Sequence, residues 1–520
     1  MTNNNKTGIS SFWLITVALV LAKLTIHFAT STTYELHRDE MLYFALGNHL
    51  SFGYVSTPPF VGFLAFIARI LFGYSEFGIK FFSALAGGVS IVIIALIVKE
   101  FGGKNLALLI AGTAFLIPGA FLRSNSLFQP VSFNQFFWLL SSYLVIRMIN
   151  TQNLKLWIWI GFVFGLGFLN KYSIVFFAAA LILALLISQH RKIIFSKYFL
   201  LGLLTGLIIA FPNLIWQYNH NWPIVKHMEE LQRYQLSNNS VSGFFIDQVM
   251  NCLPSTLIWL AGFIMLLLLP QEKKFRFLSL TFIFVLLIIV VGRGKSYYTL
   301  GAYTMLFAAG GYTMEKYFRR KWSIVNYIVI VTGILISTFA LPLELPYASF
   351  DTVAKYCDAE NGGIPQRWED GKIYPIPQDY ADMTGWKELT GIVLQAYSSL
   401  DEDQKKECTI YAENYGEAGA IEFYGQWCGL PKPISFHDSY LLWAPDSISD
   451  GPFIYINDEV GDMDKMFNNY IEIDRVNDQY FRENGVMVLL CTDPKDQWKE
   501  LYAQKVSRLK SVYRRNKSSV

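Results

Sequence analysis

Apolar runs dominate the first two thirds of the sequence and limit what it can fold into. About eleven of them approach the roughly 17–25 residues that a membrane-spanning helix needs. They lie near residues 11–29, 79–98, 105–121, 131–149, 156–170, 172–188, 198–216, 249–270, 277–292, 298–314 and 323–342. The 520-residue chain is 53% hydrophobic and 16% charged, which is too apolar for a soluble globular protein. The sequence therefore predicts a polytopic α-helical membrane protein.

Two apolar segments need separate interpretation. Segment 60–72 is too short to span the membrane and contains Arg69, so we expect it to form a helix that lies in the membrane interface. The first run, 11–29, is too long for the apolar part of a secretory signal and lacks a clear small-residue cleavage site. We therefore expect it to remain as a spanning helix.

Lysine and arginine indicate the orientation. They gather in alternate loops, at 99–104, 147–155, 191–197, 273–276 and 316–321. Because cytoplasmic loops carry the excess of such residues, this pattern places the N-terminus in the cytoplasm. An odd number of spans then places the residues after 342 outside, with the stretches 30–78 and 217–248 on that same side. The net charge of +3 gives no reason to expect a nucleic-acid partner.

The sequence changes character after residue 344. Charged residues, Pro, Gly and aromatic residues mix as in a soluble domain. Short β-like runs at 408–412, 453–456 and 486–490 alternate with helical stretches at 384–400, 415–427 and 494–511. This alternation predicts a small α/β domain. We therefore divide the chain into a transmembrane domain, 1–344, and an extracytoplasmic α/β domain, 345–520.

Cysteine is concentrated in the second domain, which contains Cys357, Cys408, Cys428 and Cys491. An extracytoplasmic location permits disulfides, and four cysteines allow three pairings that sequence does not rank. The alternative is that they are small buried hydrophobic residues.

A polar stretch directly after the first apolar run is the main candidate site. Residues 34–40 place His37, Arg38, Asp39 and Glu40 next to a membrane segment, where charge is costly unless it faces water or partners. A helix beginning near Asp39 puts Tyr43 one turn away on the same face. We expect Asp39 to be the centre of an active site on the outer face. The alternative is that Asp39 is only a helix N-cap and Arg38 a surface anchor.

Several motifs occur in a recognisable order. They are Asp39-Glu40, Gly53-Tyr54, Pro58-Pro59, the phrase 72–87, the segment Gly292-Arg293-Gly294-Lys295-Ser296-Tyr297-Tyr298-Thr299-Leu300, and the stretch 411–425. This order resembles glycosyltransferase family 39, the bacterial relatives of dolichyl-phosphate-mannose protein mannosyltransferases and of the lipid A aminoarabinose transferase.

The resemblance implies a GT-C fold with about 11 to 13 transmembrane helices and an active site at the outer face of the bacterial inner membrane. The donor would be a sugar on a polyprenyl phosphate such as undecaprenyl phosphate. The acceptor would be a hydroxyl of an envelope lipid, glycan or protein. On this reading Asp39 takes the acceptor proton during inverting transfer, and Glu40 supports or orients it.

Inverting transfer also needs cations on the leaving phosphate, whose charge grows as the glycosidic bond breaks. Lys295 leads the candidates, with Lys171 at another outer turn. The phosphate-binding set that we predict is Lys295, Arg293, Tyr297, Tyr298, Arg38, Tyr54, Arg123 and Arg233. We expect these groups and Asp39 to meet in one water-accessible cavity. For each cation the alternative is an interfacial anchor for lipid headgroups.

The chain departs from the family pattern at two places. Ser56-Thr57 precedes the Pro-Pro pair, where many relatives carry a basic or aromatic residue, so Tyr54 or Arg38 substitutes in our assignment. Gln129-Pro130 stands where relatives often have Asp, so we assign no second catalytic acid there.

Two further expectations concern cofactors and the alternative function. Adjacent Asp39 and Glu40 are a poor metal signature on their own, and we expect no cofactor and no obligatory metal. The competing function is a transporter or flippase of a polar or lipid-linked substrate. Matching halves with broken mid-membrane helices would favour it, and the sequence shows no such symmetry.

Overall fold

The computed structural model describes residues 10–234, 236, 240–319 and 322–515. Up to residue 344 these residues form sixteen α-helices, numbered α1 to α16. They are α1 Ser11–Ala29, α2 Arg38–Asn48, α3 Phe60–Phe72, α4 Glu76–Phe101, α5 Asn105–Leu116, α6 Gly119–Ser126, α7 Pro130–Thr151, α8 Leu156–Asn170, α9 Ile174–Ile187, α10 Lys197–Asn219, α11 Pro223–Tyr234, α12 Val241–Met250, α13 Thr256–Leu268, α14 Arg276–Val291, α15 Leu300–Tyr317 and α16 Ser323–Glu344.

The described residues after 344 form eight short helices and six strands. The helices are α17 Phe350–Cys357, α18 Gln378–Ala381, α19 Trp386–Ser398, α20 Glu402–Glu407, α21 Tyr415–Tyr424, α22 Tyr440–Trp443, α23 Met463–Met466 and α24 Trp498–Ser511. The strands are β1 Gln366–Arg367, β2 Ile373–Tyr374, β3 Thr409–Ala412, β4 Phe453–Asn457, β5 Phe467–Arg475 and β6 Met487–Pro494. The predicted strands and helices of this region are confirmed as β3, β4, β6, α19, α21 and α24.

Several helices have the length and apolar composition of membrane spans. Among the described residues five qualify singly, and seven qualify if each of two bent helix pairs counts as one span. Three shorter apolar helices, α3, α8 and α9, accompany them. Each of the eleven predicted segments contains a helix, and the chain is an integral membrane protein. That α3 lies in the interface stays a prediction.

Two segments predicted as single spans are broken in the structure. The segment 105–121 divides into α5 and α6, which meet at 65°, and Pro118 lies at the break. The segment 249–270 begins at the end of α12, and the chain bends by 67° before α13, with Pro254 in the connection. Proline lacks a backbone N–H and restricts the residue before it, so a helix ends there.

The chain forms two compact units. The first comprises Met1–Thr30, Lys80–Phe211 and Arg233–Leu345, and the second comprises Ser31–Ile79, Pro212–Gln232 and Pro346–Val520. The first unit ends at Leu345, and the division into domains 1–344 and 345–520 stays a prediction. The predicted outer loop 30–78, however, clusters with the C-terminal residues.

The first unit is a helical bundle around α15. That helix is buried from Leu300 to Met314 and packs against α5, α7 and α13. Aromatic side chains fill much of the interior, and Trp138 stacks on Phe177 with ring centroids 4.6 Å apart.

The second unit contains a four-stranded sheet in the order β3-β4-β6-β5. Strands β3 and β4 are parallel, while β6 runs antiparallel to both β4 and β5. Phe453 on β4 packs edge-on against Trp498 of α24, and both lie in the buried core of this domain. All five cysteines lie in the described part of the chain as free thiols, and Cys428 alone among them is exposed.

Direct hydrogen bonds explain why the outer loop belongs to the second unit. Glu35 Oε2 accepts from the backbone N–H groups of Trp386 and Lys387, at 2.7 and 3.2 Å, where α19 begins. At the other end of α2, Asn48 Nδ2 donates to Glu422 Oε1 of α21 at 2.7 Å. Charge-assisted hydrogen bonds of this kind fix the loop on the α/β domain.

Candidate active site

The helix that carries Asp39 begins with a capping box. The backbone N–H of Asp39 donates to His37 Nδ1 at 3.1 Å, and the backbone N–H of His37 donates to Glu40 Oε2 at 2.9 Å. These reciprocal bonds satisfy N–H groups that a helix start leaves unpaired. The N-cap is therefore His37, and the alternative that Asp39 is merely the cap is wrong. Glu40 is fully buried in this cap, which gives it a supporting place beside Asp39.

The carboxylate of Asp39 is held from the C-terminal domain. The hydroxyl of Tyr415 donates to Asp39 Oδ1 at 2.8 Å, across 376 residues of sequence. Burial and then the negative charge of Asp39 raise the pKa of Tyr415 well above its usual value. The phenol therefore keeps its proton and acts as a donor at physiological pH.

Arg38 lies beside this pair. Its guanidinium carbon is 4.7 Å from the centre of the Tyr415 ring. Its Nη1 atom is 3.5 Å from Glu483 Oε1 and 3.9 Å from Asp382 Oδ1. Arg38 is thus part of a charged network with the C-terminal domain, which places a cation next to the carboxylate of Asp39.

Asp382 is the buried centre of that network. Arg482 Nη1 is 3.0 Å and His37 Nε2 is 3.7 Å from its Oδ2 atom. Burial raises the pKa of Asp382, and the charges of His37, Arg482 and Arg38 oppose that rise. A buried carboxylate is tolerated when cations and hydrogen bonds compensate its lost hydration. No sequence pattern pointed to Asp382, Arg482 or Glu483.

Two glycines allow α21 to approach α2 closely. A Cβ atom added at Gly419 would lie 2.8 Å from Met41 Cβ and 3.2 Å from the backbone carbon of Met41. One added at Gly416 would lie 3.3 Å from Arg38 Cβ. The phrase 416–419 therefore has a packing function. It lies in the first turns of α21, shortly after β3 ends.

Gly419→Ala tests this packing. The added methyl group overlaps Met41, so we expect a loss of about 1–3 kcal/mol in stability, measured as a lower thermal unfolding midpoint of the purified chain. Gly391→Ala is the matched control, because nothing lies within 4 Å of the Cβ position at this helical glycine. That control should unfold at the wild-type temperature or slightly above it. Equal midpoints for both variants would contradict the close approach.

Tyr54 stabilises the turn after α2 in the second unit. Its hydroxyl hydrogen is shared between the carbonyl oxygens of Leu46 and His49, at 2.9 and 3.2 Å, and its oxygen accepts from the N–H of Ser51 at 3.2 Å. These contacts close the turn after α2 and occupy the hydroxyl. We therefore leave Tyr54 out of the phosphate ligands that we propose.

The other predicted phosphate-binding residues belong to the first unit. Lys295 precedes the short 3-10 turn Ser296–Thr299 and is half-buried. The rings of Tyr297 and Tyr298 pack edge-on at 4.7 Å, and Lys171 Nζ lies 4.9 Å from the centre of the Tyr298 ring. A cation and two phenols therefore gather beside the Lys295 turn. Arg293 is exposed, with a left-handed φ of 50°.

Gln248 of α12 fixes this turn. Its Oε1 atom accepts hydrogen bonds from Thr299 Oγ1 at 2.7 Å and from the Tyr303 hydroxyl at 2.8 Å. Both groups are buried, so the segment after Lys295 is held to α12 and α15. Sequence reasoning missed Gln248, because an isolated glutamine in an apolar segment gives no specific signal.

Arg123 and Arg233 have different surroundings. Arg123 Nη2 donates to the carbonyl of Leu343 at 2.6 Å and is 3.7 Å from Glu344 Oε2. This ion pair competes with a phosphate, so we also leave Arg123 out of the proposed ligands. Arg233 is exposed near the end of α11. That the cations of the first unit share a cavity with Asp39 stays a prediction.

Comparisons with known proteins bear on the whole fold. Residues 56–216 match the family model described as dolichyl-phosphate-mannose-protein mannosyltransferase. ArnT from Cupriavidus metallidurans, solved bound to undecaprenyl phosphate, matches with a TM-score of 0.63 at 14% identity, over 92% of this chain and 98% of ArnT. The predicted resemblance to glycosyltransferase family 39 is confirmed. The chain has the GT-C fold.

Two further matches extend the comparison. The lipid A galacturonosyltransferase RgtD of Rhizobium johnstonii is 23% identical over 197 residues, which are 38% of this chain and 41% of RgtD. The match therefore spans less than half of that relative. The arabinofuranosyltransferase AftD from Mycobacteria gives a TM-score of 0.52 at 10% identity, over 94% of this chain and 40% of AftD.

The GT-C comparison does not assign residue roles. The family model begins after Asp39 and ends before Lys295. Within the described residues, no group of three or more His, Cys, Asp or Glu side chains has the arrangement of a metal site. The expectation of a metal-independent enzyme stays a prediction.

Proposed function

We propose that the chain transfers a sugar from a polyprenyl-phosphate donor to a hydroxyl of an envelope acceptor. The observation that carries the proposal is the Asp39 carboxylate, half-buried, fixed by the Tyr415 hydroxyl and flanked by Arg38. A positioned carboxylate of this kind is suited to general-base chemistry. The similarity to ArnT, which was solved bound to undecaprenyl phosphate, supports the donor class.

Asp39 is the general base in the proposed reaction. Its carboxylate takes the proton of the acceptor hydroxyl while the acceptor oxygen forms a bond to the anomeric carbon. The bond from that carbon to the phosphate oxygen breaks, and its electron pair stays on the phosphate. The products are the glycosylated acceptor, with inverted anomeric configuration, and the free polyprenyl phosphate. The proton on Asp39 then passes to solvent.

The leaving phosphate gains negative charge in this step, which nearby cations stabilise. We propose Lys295 as the principal phosphate ligand. Tyr297 and Tyr298 are proposed to donate hydrogen bonds from the same turn, and Lys171 lies against their rings. Arg293 and Arg233 are secondary candidates, since both are exposed. Arg38 is proposed to act mainly through Asp39 and Tyr415.

We propose that the reaction takes place at the outer face of the bacterial inner membrane. Lysine and arginine clusters in alternate loops support a cytoplasmic N-terminus and an extracytoplasmic C-terminal domain. A lipid acceptor is our first choice, because the relative RgtD is a lipid A galacturonosyltransferase. Envelope glycans and protein hydroxyls are the other acceptor classes.

A reconstitution assay tests the proposal. The purified chain in lipid nanodiscs is incubated with polyprenyl-phosphate sugars and an envelope lipid extract, and free polyprenyl phosphate and glycosylated products are measured by mass spectrometry. We expect equal amounts of released polyprenyl phosphate and transferred sugar. Intact movement of the donor across a vesicle membrane, without cleavage, would favour a flippase instead.

Metal dependence is tested in the same assay. Because we propose that protein cations, and not a metal ion, stabilise the leaving phosphate, EDTA should leave the rate of sugar transfer unchanged. The EDTA is added in large excess over trace metal. The control is a well-characterised magnesium-dependent transferase under identical conditions, which should lose its activity. A rate abolished by EDTA and restored by a divalent cation would contradict the prediction.

A further inference from the structure

We infer that Tyr415, supplied by the C-terminal domain, is a positioning residue for the base Asp39. This inference rests on the proposed function and extends it. If Tyr415 has this role, the α/β domain is part of the catalytic apparatus. The geometry around the Tyr415 phenol supports the inference.

The phenol of Tyr415 is aimed at the carboxylate. Its hydroxyl lies 2.8 Å from Asp39 Oδ1, a length typical of a strong hydrogen bond to an ionised acceptor. The Tyr415 ring is also in contact on other sides, with the Arg38 guanidinium at 4.7 Å and the His437 ring at 4.9 Å. These contacts restrict the rotation of the ring and hold the hydroxyl in one direction.

The backbone that carries Tyr415 is also fixed. Asn414 caps α21, with its side-chain oxygen accepting from the N–H groups of Gly416 and Glu417 at 2.8 and 3.2 Å. Glu417 Oε2 accepts in return from the N–H of Asn414 at 3.1 Å. With the close approach of Gly419 to Met41, this box anchors the first turn of α21 on α2. A catalytic group is best held by residues on such rigid elements.

The hydrogen bond has two chemical consequences. It fixes the rotation of the Asp39 carboxylate, which keeps the base aligned with the acceptor hydroxyl. It also stabilises the ionised form of the base relative to the protonated form. The acid limb of the pH–rate profile should therefore depend on Tyr415.

Other charged groups face Asp39 or the network beside it, and they remain unchanged when Tyr415 is replaced. They are His37, Arg38 and Glu40 on the first turn of α2 and its cap, Asp382 after α18, His437 before α22, and Arg482 and Glu483 after β5. A change in the pH profile of a Tyr415 variant consequently reports the phenol itself.

Tyr415→Phe is the direct test, in the nanodisc assay with the full chain. Loss of one hydrogen bond to a charged group should lower the turnover number about 10- to 100-fold. The KM for the donor should stay near the wild-type value, because the phenol is not proposed to bind the donor. The acid limb should move to higher pH, since the ionised base has lost a stabilising donor.

Tyr480→Phe is the matched control. Its hydroxyl also donates to a carboxylate in the same unit, Asp351 Oδ1 at 2.7 Å, which has no proposed role in the reaction. This variant should keep the wild-type turnover number and pH profile. A purely structural role of Tyr415 would lower the unfolding temperature or the amount of active protein without moving the acid limb, and would overturn the inference.

A second replacement covers the case in which Tyr415→Phe does not fold. Incorporation of 3-fluorotyrosine at position 415 nearly preserves the shape of the side chain and makes the phenol a stronger hydrogen-bond donor. The acid limb of the pH–rate profile should therefore move to lower pH. An unchanged profile overturns the inference. Failure of the proposed function is recognised separately, because the wild-type chain would then release no free polyprenyl phosphate. Failure of the base assignment alone would leave the Asp39→Asn variant active, whatever the behaviour of Tyr415.

Discussion

Asp39→Asn is expected to lower the turnover number by about a thousandfold, in line with the usual contribution of a general base. An amide has no basic lone pair for the acceptor proton, so only the unassisted reaction remains. The fold should persist, because the amide oxygen can still accept the hydrogen bond from Tyr415. Turnover is measured in the nanodisc assay, and binding of the polyprenyl-phosphate donor is measured separately by displacement of a labelled lipid.

The matched control for this variant is Asp403→Asn. Asp403 lies on the same unit, is almost fully exposed and pairs only with Lys406 at 2.9 Å among the described contacts. It should transfer sugar at the wild-type rate. An Asp39→Asn chain that retains full turnover would remove Asp39 as the base.

Lys295→Met is expected to lower the turnover number by about a hundredfold, which is typical of removing one group that stabilises developing negative charge. Methionine preserves most of the length and the apolar stem but removes the cation. Because the adjacent turn is held by Gln248, the local backbone should remain in place. The measurement is turnover at saturating donor, so that an effect on the leaving phosphate is separated from weaker binding.

Lys273→Met is the control. Lys273 is an exposed lysine in the short 3-10 helix Pro270–Phe275 before α14, which we propose to lie on the cytoplasmic side. The turnover of this variant should match the wild type. If Lys295 only anchors the chain at lipid headgroups, then Lys295→Met should alter thermal stability and leave turnover unchanged, which would contradict its role as a phosphate ligand.

The sequence was informative where a single local pattern determines the structure. Long apolar runs predicted the helices because burial in lipid requires continuous apolar composition. Alternation of short apolar runs predicted β3, β4 and β6, whose side chains are largely buried. The helix start near Asp39 was predictable from its polar residues. The N-cap is His37, although aspartate, asparagine, serine and threonine are the residue types that usually cap helices.

The features of the fold and the site that the sequence did not predict depend on contacts between residues far apart in the chain. Strand β5 was missed because it lies at the sheet edge with most of its side chains exposed, so its sequence lacks an apolar pattern. The bends at Pro118 and Pro254 interrupt runs whose composition alone indicates continuous spans. The bond between Tyr415 and Asp39 joins positions 376 residues apart, and no local pattern encodes such a contact.

Sugar transfer that depends on Asp39 can be measured in cells that lack the chromosomal copy of the gene and carry the wild-type chain, Asp39→Asn or Asp403→Asn at equal membrane levels. Envelope lipids, glycans and glycoproteins from each strain are compared by mass spectrometry. We expect one sugar-modified species with the wild type and with Asp403→Asn. With Asp39→Asn we expect that species to be lost and the polyprenyl-phosphate sugar to accumulate. The same modified species at the same level in all three strains would contradict this expectation.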